Sequence, residues 1–130
     1  GFGVIGDKCN HGYDIGRCGS KAKVLFMRLN ENGDLLEEQE WSGLNFMERL
    51  PYFSITTTAN EGFAWIAEHK NKGTWVHKFG PNEESVSMYP GGYGGFDINR
   101  TTDNGFIIGT WGGNIIKTDD ELNYEASSNE

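Results

Sequence analysis

The sequence has no long hydrophobic run, little proline, little cysteine and a shortage of basic residues. Its apolar stretches, such as residues 24–27, cover only a few positions, whereas a membrane-spanning helix needs about 20. No membrane insertion is therefore predicted. The 11 lysines and arginines face 19 aspartates and glutamates, which gives a net charge of −8. Because nucleic acids bind basic surfaces through their phosphates, we predict no nucleic-acid partner.

A turn motif recurs at a fixed spacing in this glycine-rich chain. Segment 58–65, TANEGFAW, aligns with segment 101–108, TTDNGFII, 43 positions later, and a third copy begins at Gly1. An Asn or Asp side chain can close such a turn by accepting a hydrogen bond from the amide two residues on. We expect the glycine to adopt a positive φ. The motif residues are Thr58, Asn60, Gly62, Phe63, Thr101, Asp103, Gly105 and Phe106.

Alternating apolar and turn-forming segments predict eleven antiparallel strands in three repeats, and a period of roughly 40–50 residues is typical of β-propellers. The predicted repeats cover approximately residues 1–43, 52–90 and 96–126, and the first lacks its opening strand. Asn32-Gly33 predicts a type I′ hairpin turn. The predicted strands are 1–6, 23–30, 34–41, 52–58, 62–68, 73–79, 84–89, 96–101, 106–111, 114–118 and 123–126.

Two further patterns concern the second and third strands of each repeat. The second strands are apolar at both alternating phases, which predicts sheets covered on both faces. In the third strands Arg28, Lys78 and Lys117 align. The favoured interpretation is that their stems cover apolar surface and their charged heads stay in water. A charged site built from the three is the alternative.

These repeats resemble the secreted bacterial β-propeller repeats of the form T-x-DGG-[FY]-I-[IL]-x-G, and their turn resembles the Asp-box hairpin of sialidase-like and sortilin-like propellers. The residues that carry the resemblance are those of the turn motif, Ile108 and segment 28–33, RLNENG. The resemblance implies an all-β fold of antiparallel four-stranded repeats forming consecutive blades of a propeller. Since propellers typically have 4–8 blades, about three blades are expected to be a fragment, completed by further blades or other chains.

The two cysteines, Cys9 and Cys18, bound a polar loop with two glycines. A disulfide is the preferred prediction, and it would place the protein in an extracellular, cell-surface or periplasmic location. Two free thiols are one alternative. A metal site that includes His11 is another, although no fourth ligand is evident nearby.

The connections after second and fourth strands are long, at residues 7–21, 42–51 and 90–95, while the opposite turns are tight. Because binding groups concentrate on variable loops over a rigid scaffold, we predict a contact rim there. The candidate residues are His11, Tyr13, Asp14, Arg17, Phe46, Tyr93 and Trp111.

The sequence gives weak support for catalysis. No serine lies in a nucleophile motif, and the three histidines show no metal-ligand spacing. We predict a non-catalytic extracellular binding or assembly module, without cofactor or metal, whose partner is a protein or a glycan. The alternative is a fragment of a sialidase-like or other glycan-hydrolysing propeller enzyme. A Ca²⁺ ion at the turn 30–34 is a further, less favoured prediction, because calcium loops need more carboxylate oxygens.

Overall fold

The computed structural model of the chain describes residues 2–8, 23–41, 54–69, 73–81, 83–89, 95–110 and 113–128. The chain divides into two compact units, Gly1–Pro51 and Tyr52–Glu130. In the described part no helix is long and apolar enough to cross a membrane. The fold is all-β, with three antiparallel sheets of three or four strands.

In each sheet the strands follow one another in chain order and pair antiparallel with their sequence neighbours. The first sheet lies in the first unit and contains β1 (Phe2–Lys8), β2 (Lys23–Leu29) and β3 (Leu35–Trp41). The second contains β4 (Ser54–Thr57), β5 (Phe63–His69), β6 (Gly73–Gly80) and β7 (Glu83–Tyr89). The third contains β8 (Gly95–Arg100), β9 (Phe106–Thr110), β10 (Ile115–Thr118) and β11 (Tyr124–Ser127). The described strands begin and end within two residues of the predicted bounds.

The pairing register is the same in all three sheets, which confirms the alignment of the third strands. The motif phenylalanines Phe2, Phe63 and Phe106 face Leu29, Phe79 and Thr118. One position further along, Arg28, Lys78 and Lys117 face Gly3, Ala64 and Ile107. The three cationic residues therefore occupy one structural position.

Five hairpin turns share one geometry: 30–34, 58–62, 101–105, 110–114 and 119–123. In each, the N–H of the first residue donates to the carbonyl of the fifth at 2.9–3.0 Å. The fourth residue has a positive φ in every turn, and these residues are Gly33, Glu61, Asn104, Gly113 and Leu122. This is the three-residue hairpin loop in which a turn is followed by one left-handed residue.

Three details of the predicted turns are wrong. The left-handed residue is the one before the motif glycine, so neither Gly62 nor Gly105 has a positive φ. Gly33 has a positive φ but Asn32 does not, and a type I′ turn requires it at both positions. The amide of Gly62 donates to Oγ1 of Thr58 at 3.0 Å, rather than to the side chain of Asn60.

The second and third sheets pack on each other, and their first strands run in the same direction where they meet. Oγ of Ser54 donates to Oδ1 of Asp97 at 2.9 Å. Two residues further along β4, Oγ1 of Thr56 accepts from the amide of Arg100 at 3.3 Å. Between the sheets lies one apolar core of buried residues: Ala64, Ile66, Val76, Ile98, Phe106, Ile108, Ile116 and Leu122.

The prediction that second strands are covered on both faces holds for one sheet and fails for another. In β5 both Ala64 and Trp65 are buried. In β9 buried and more exposed residues alternate: Ile108 is fully buried, whereas the adjacent Ile107 is 39% exposed. The third sheet therefore has one covered face and one exposed face in this structure.

Candidate functional site

The predicted rim residues lie in connections outside the described residues. This applies to all seven candidates, His11, Tyr13, Asp14, Arg17, Phe46, Tyr93 and Trp111, and to Cys9 and Cys18. The rim contacts, the disulfide and its alternatives therefore stay predictions. What the structure defines is the set of strands that carries these connections.

The second and third sheets direct corresponding connections to the same end of the pair. Because β4 and β8 run in the same direction, the tight turns 58–62 and 101–105 lie at one end. The strands flanking residues 70–72, 90–94 and 111–112 consequently meet at the opposite end. Sequence positions 93 and 111 thus belong to connections that leave the same end of the packed sheets. We call it the loop end, and the opposite one the turn end.

A polar network holds the turn end of the third sheet. Oδ1 of Asp103 accepts from the hydroxyl of Thr101 and, at 3.1 Å, from the amide of Gly105. Nζ of Lys117 donates to Oδ2 of Asp103 at 3.0 Å and to Oε2 of Glu125 at 3.1 Å. The Thr101 hydroxyl, the Lys117 ammonium and the Gly105 amide lower the pKa of Asp103 to about 2. Partial desolvation opposes the charge of Lys117, but its bonds to Asp103 and Glu125 prevail and raise its pKa.

Two other turns at hairpin ends are closed by an amide or carboxylate at their first position. Oδ1 of Asn30 accepts from the amides of Asn32 and Asp34, both at 2.9 Å. Oδ1 of Asp119 accepts in the same way from the amides of Glu121 and Asn123. Hydrogen bonds from the side chain and amide of Asn123 lower the pKa of Asp119. These side-chain oxygens are used to hold the backbone.

The three aligned cations have different partners. Arg28 is exposed and bonds to Glu37 on the facing strand at 3.1 Å. Lys78 is buried, and its Nζ donates to the carbonyl of Asp120 in the third sheet at 2.6 Å. The prediction of a head group in water is therefore wrong for Lys78, because a backbone carbonyl of the neighbouring sheet replaces the water.

A buried histidine lies on the other face of the second sheet. Nε2 of His77 is 3.0 Å from Oε1 of Glu84, and its ring centroid lies 5.1 Å from that of Trp65. Burial lowers the pKa of His77, although the hydrogen bond that its ring donates to the Glu84 carboxylate partly opposes this. A neutral imidazole among aromatic rings is the expected state near pH 7. Sequence analysis did not predict the bond between His77 and Glu84, because it joins side chains on two neighbouring strands.

Sequence analysis also missed that the turns 110–114 and 119–123 repeat the geometry of the motif turn. A signal was present, since Thr, Asn or Asp occupies the first position of all five turns. Among the described residues, no group of three or more His, Cys, Asp and Glu side chains is arranged to hold a metal ion. Of the carboxylates described above, Asp103 and Asp119 accept from backbone amides, and Asp103 and Glu125 bind the Lys117 ammonium. Comparison with protein-family models, curated proteins and solved structures found no match to this chain.

Proposed function

We propose that this chain is a non-catalytic, extracellular binding or assembly module of β-propeller type, which contacts a glycan or a protein through its loop end. The observation that carries the proposal is the difference between the two ends of the sheets. At the turn end, compact hairpins bond their own polar groups. At the loop end, the connection at residues 90–94, which contains Tyr93, is longer. The turn 110–114, which contains Trp111, is as compact as the turns of the opposite end, so the prediction of long connections after second strands is wrong for the third sheet.

The packing of two sheets in the same orientation supports this assignment. Ser54 and Thr56 bond to β8 at positions 43 and 44 residues away, so the packing repeats with the sequence period. A rigid scaffold that presents successive loops at one end is the usual arrangement of a recognition surface. Consecutive sheets related by one repeat are also the arrangement that propellers use.

The lowered pKa values of the two turn aspartates have a structural cause. Perturbed pKa values at functional sites arise from burial combined with a specific charge partner in a cleft. Here Asp103 and Asp119 have lowered pKa values because they accept hydrogen bonds within hairpin turns. The hydrolase alternative would instead need a pair of carboxylates across a sugar-binding cleft.

An array of purified oligosaccharides tests the proposal. We expect the wild-type protein to bind a subset of glycans, and the double variant Tyr93→Ala with Trp111→Ala to weaken that binding at least tenfold, about 1.4 kcal/mol. The matched control is Tyr124→Ala, because Tyr124 follows a tight turn at the turn end. Thermal unfolding should be the same for wild type and the double variant.

Two outcomes would count against the proposal. If Tyr124→Ala weakens glycan binding as much as the double variant does, the contact is not at the loop end. If the protein releases sugar from a bound glycan and Asp14→Asn abolishes that release, the hydrolase alternative is favoured instead.

A further inference from the structure

The second and third sheets use different faces where they pack on each other. The second sheet contributes the face that carries Ala64, Ile66, Val76 and Lys78, three of which belong to the shared core. The third sheet contributes the face that carries Phe106, Ile108 and Ile116. In the common register, this face corresponds to the other face of the second sheet. The two faces are different, so the contact is heterologous, and it can repeat from sheet to sheet.

The other face of the third sheet is equivalent to the face that the second sheet buries, and it is exposed. By the common register, Ile107, Ile115 and Lys117 occupy the positions of Ala64, Val76 and Lys78. Ile107 is 39% exposed and Ile115 is 49% exposed. Two of the three core positions of this face therefore carry apolar side chains, and Gly109 takes the position of Ile66. We call this surface the 107/115 face.

The first sheet has an exposed face that is equivalent to the buried face of the third sheet. Phe2 and Val4 occupy the positions of Phe106 and Ile108, and Val4 pairs with Met27 as Ile108 pairs with Ile116. Phe2 is 59% exposed and Val4 is 41% exposed. An exposed phenylalanine beside aliphatic residues on a sheet face is typical of an interaction surface. We call this surface the 2/4 face.

We propose that the 107/115 face binds the 2/4 face of a second copy of this chain, so that copies associate head to tail. We choose a second copy as the partner because equivalent positions of the second and third sheets already form a buried core. The chain therefore carries the second-strand and third-strand positions of both halves of this contact on its own exposed surfaces. This inference rests on the repeat and not on the loop-end contact, so failure of the loop-end substitutions would leave it standing.

The hydrogen bond made by Lys78 gives the proposed contact a polar element. Lys78 donates to the carbonyl of Asp120, the second residue of turn 119–123. In the first sheet the equivalent turn is 30–34, where Glu31 is the second residue. The Lys117 ammonium donates to Asp103, Glu125 and the Thr118 carbonyl in the single chain. In the proposed contact it would exchange one of these partners for the Glu31 carbonyl of the next copy.

Sedimentation velocity over a wide range of concentration tests the proposal, with Val4→Glu and Ile107→Glu each placing a carboxylate on one of the two faces. Wild type should associate beyond the monomer. Each variant should raise the dissociation constant at least tenfold. The matched control is Val86→Glu, because Val86 is 47% exposed on β7 and belongs to neither face. Circular dichroism checks that all variants are folded.

Mixing the two variants separates a head-to-tail contact from a symmetric one. A Val4→Glu chain retains an intact 107/115 face, and an Ile107→Glu chain retains an intact 2/4 face. An equimolar mixture should therefore form heterodimers although neither variant associates alone. Wild type that stays monomeric, association that survives Val4→Glu, or a mixture that remains monomeric would each overturn the proposal.

Discussion

Gly62 and Gly105 occupy buried positions where any side chain would collide with the neighbouring strand. A Cβ on Gly105 would overlap the carbonyl oxygen of Thr118, and a Cβ on Gly62 would overlap that of Phe79. We expect Gly105→Ala to lower the free energy of unfolding by about 1–3 kcal/mol, the usual cost of overpacking. Urea denaturation measures this. The control is Gly6→Ala, since a Cβ there has no atom within 4 Å; equal midpoints for the two variants would contradict the close approach.

Asp103 is the residue whose ionisation should affect acid stability. Its pKa is lowered to about 2 from 3.8, so the unfolded chain takes up the proton first as pH falls. The stabilisation by ionised Asp103 is therefore complete above about pH 4 and is lost as pH falls through about 2. We expect wild type to lose stability across this interval and Asp103→Asn to lose less. Urea midpoints at pH 7, 4 and 2 measure this; identical slopes would show that Asp103 is not the titrating group.

At the scale of the element, the five-residue turn is the unit that the chain uses repeatedly. The buried hydroxyl of Thr58 accepts from the amide of Gly62. Thr58→Val keeps the shape of the side chain but removes that acceptor, and an unsatisfied buried amide costs about 1–3 kcal/mol. Thr58→Ser, which keeps the hydroxyl, should retain most of the stability. Thermal unfolding of the two variants tests this, and the prediction fails if serine and valine are equally destabilising.

The sequence predicts the elements well and their internal bonds less well. Strand bounds and the alignment of Arg28, Lys78 and Lys117 follow from alternation and from one repeated turn. Which side chain closes a turn does not follow, because Thr58 and Asn60 both carry acceptors within reach of the same amide. The burial of Lys78 depends on a carbonyl 42 residues away in the chain, and a local pattern contains no information about it.

At the scale of the whole molecule, the core between the second and third sheets is the main apolar contact of the second unit. Ile108 is fully buried in it, whereas the adjacent Ile107 lies on the opposite face and is partly exposed. We expect Ile108→Ala to cost about 2–5 kcal/mol of unfolding free energy. Ile107→Ala should cost much less in the monomer. Comparable losses measured by urea denaturation would contradict the assignment of faces.

The sequence predicts which connections contain the candidate site but not how its side chains are arranged. Loop length and composition indicate which connections hold contact residues, and the strands around them show that positions 93 and 111 belong to one end of the packed sheets. Tyr13 and Tyr93 belong to sequence segments with several glycines and no alternation of apolar residues, so the sequence does not predict where their side chains lie. The proposed function therefore rests on the arrangement of the second and third sheets.

The central claim is that the second and third sheets are stacked in the same orientation, one repeat apart, so that their long connections share an end. Nuclear Overhauser contacts between β4 and β8 test this most directly. The account predicts cross-peaks from Ser54 to Asp97 or Ile98 together with cross-peaks from Thr56 to Arg100. Cross-peaks from Ser54 to Arg100 and from Thr56 to Asp97 would show strands running in opposite directions, and would contradict both the stacking and the shared loop end.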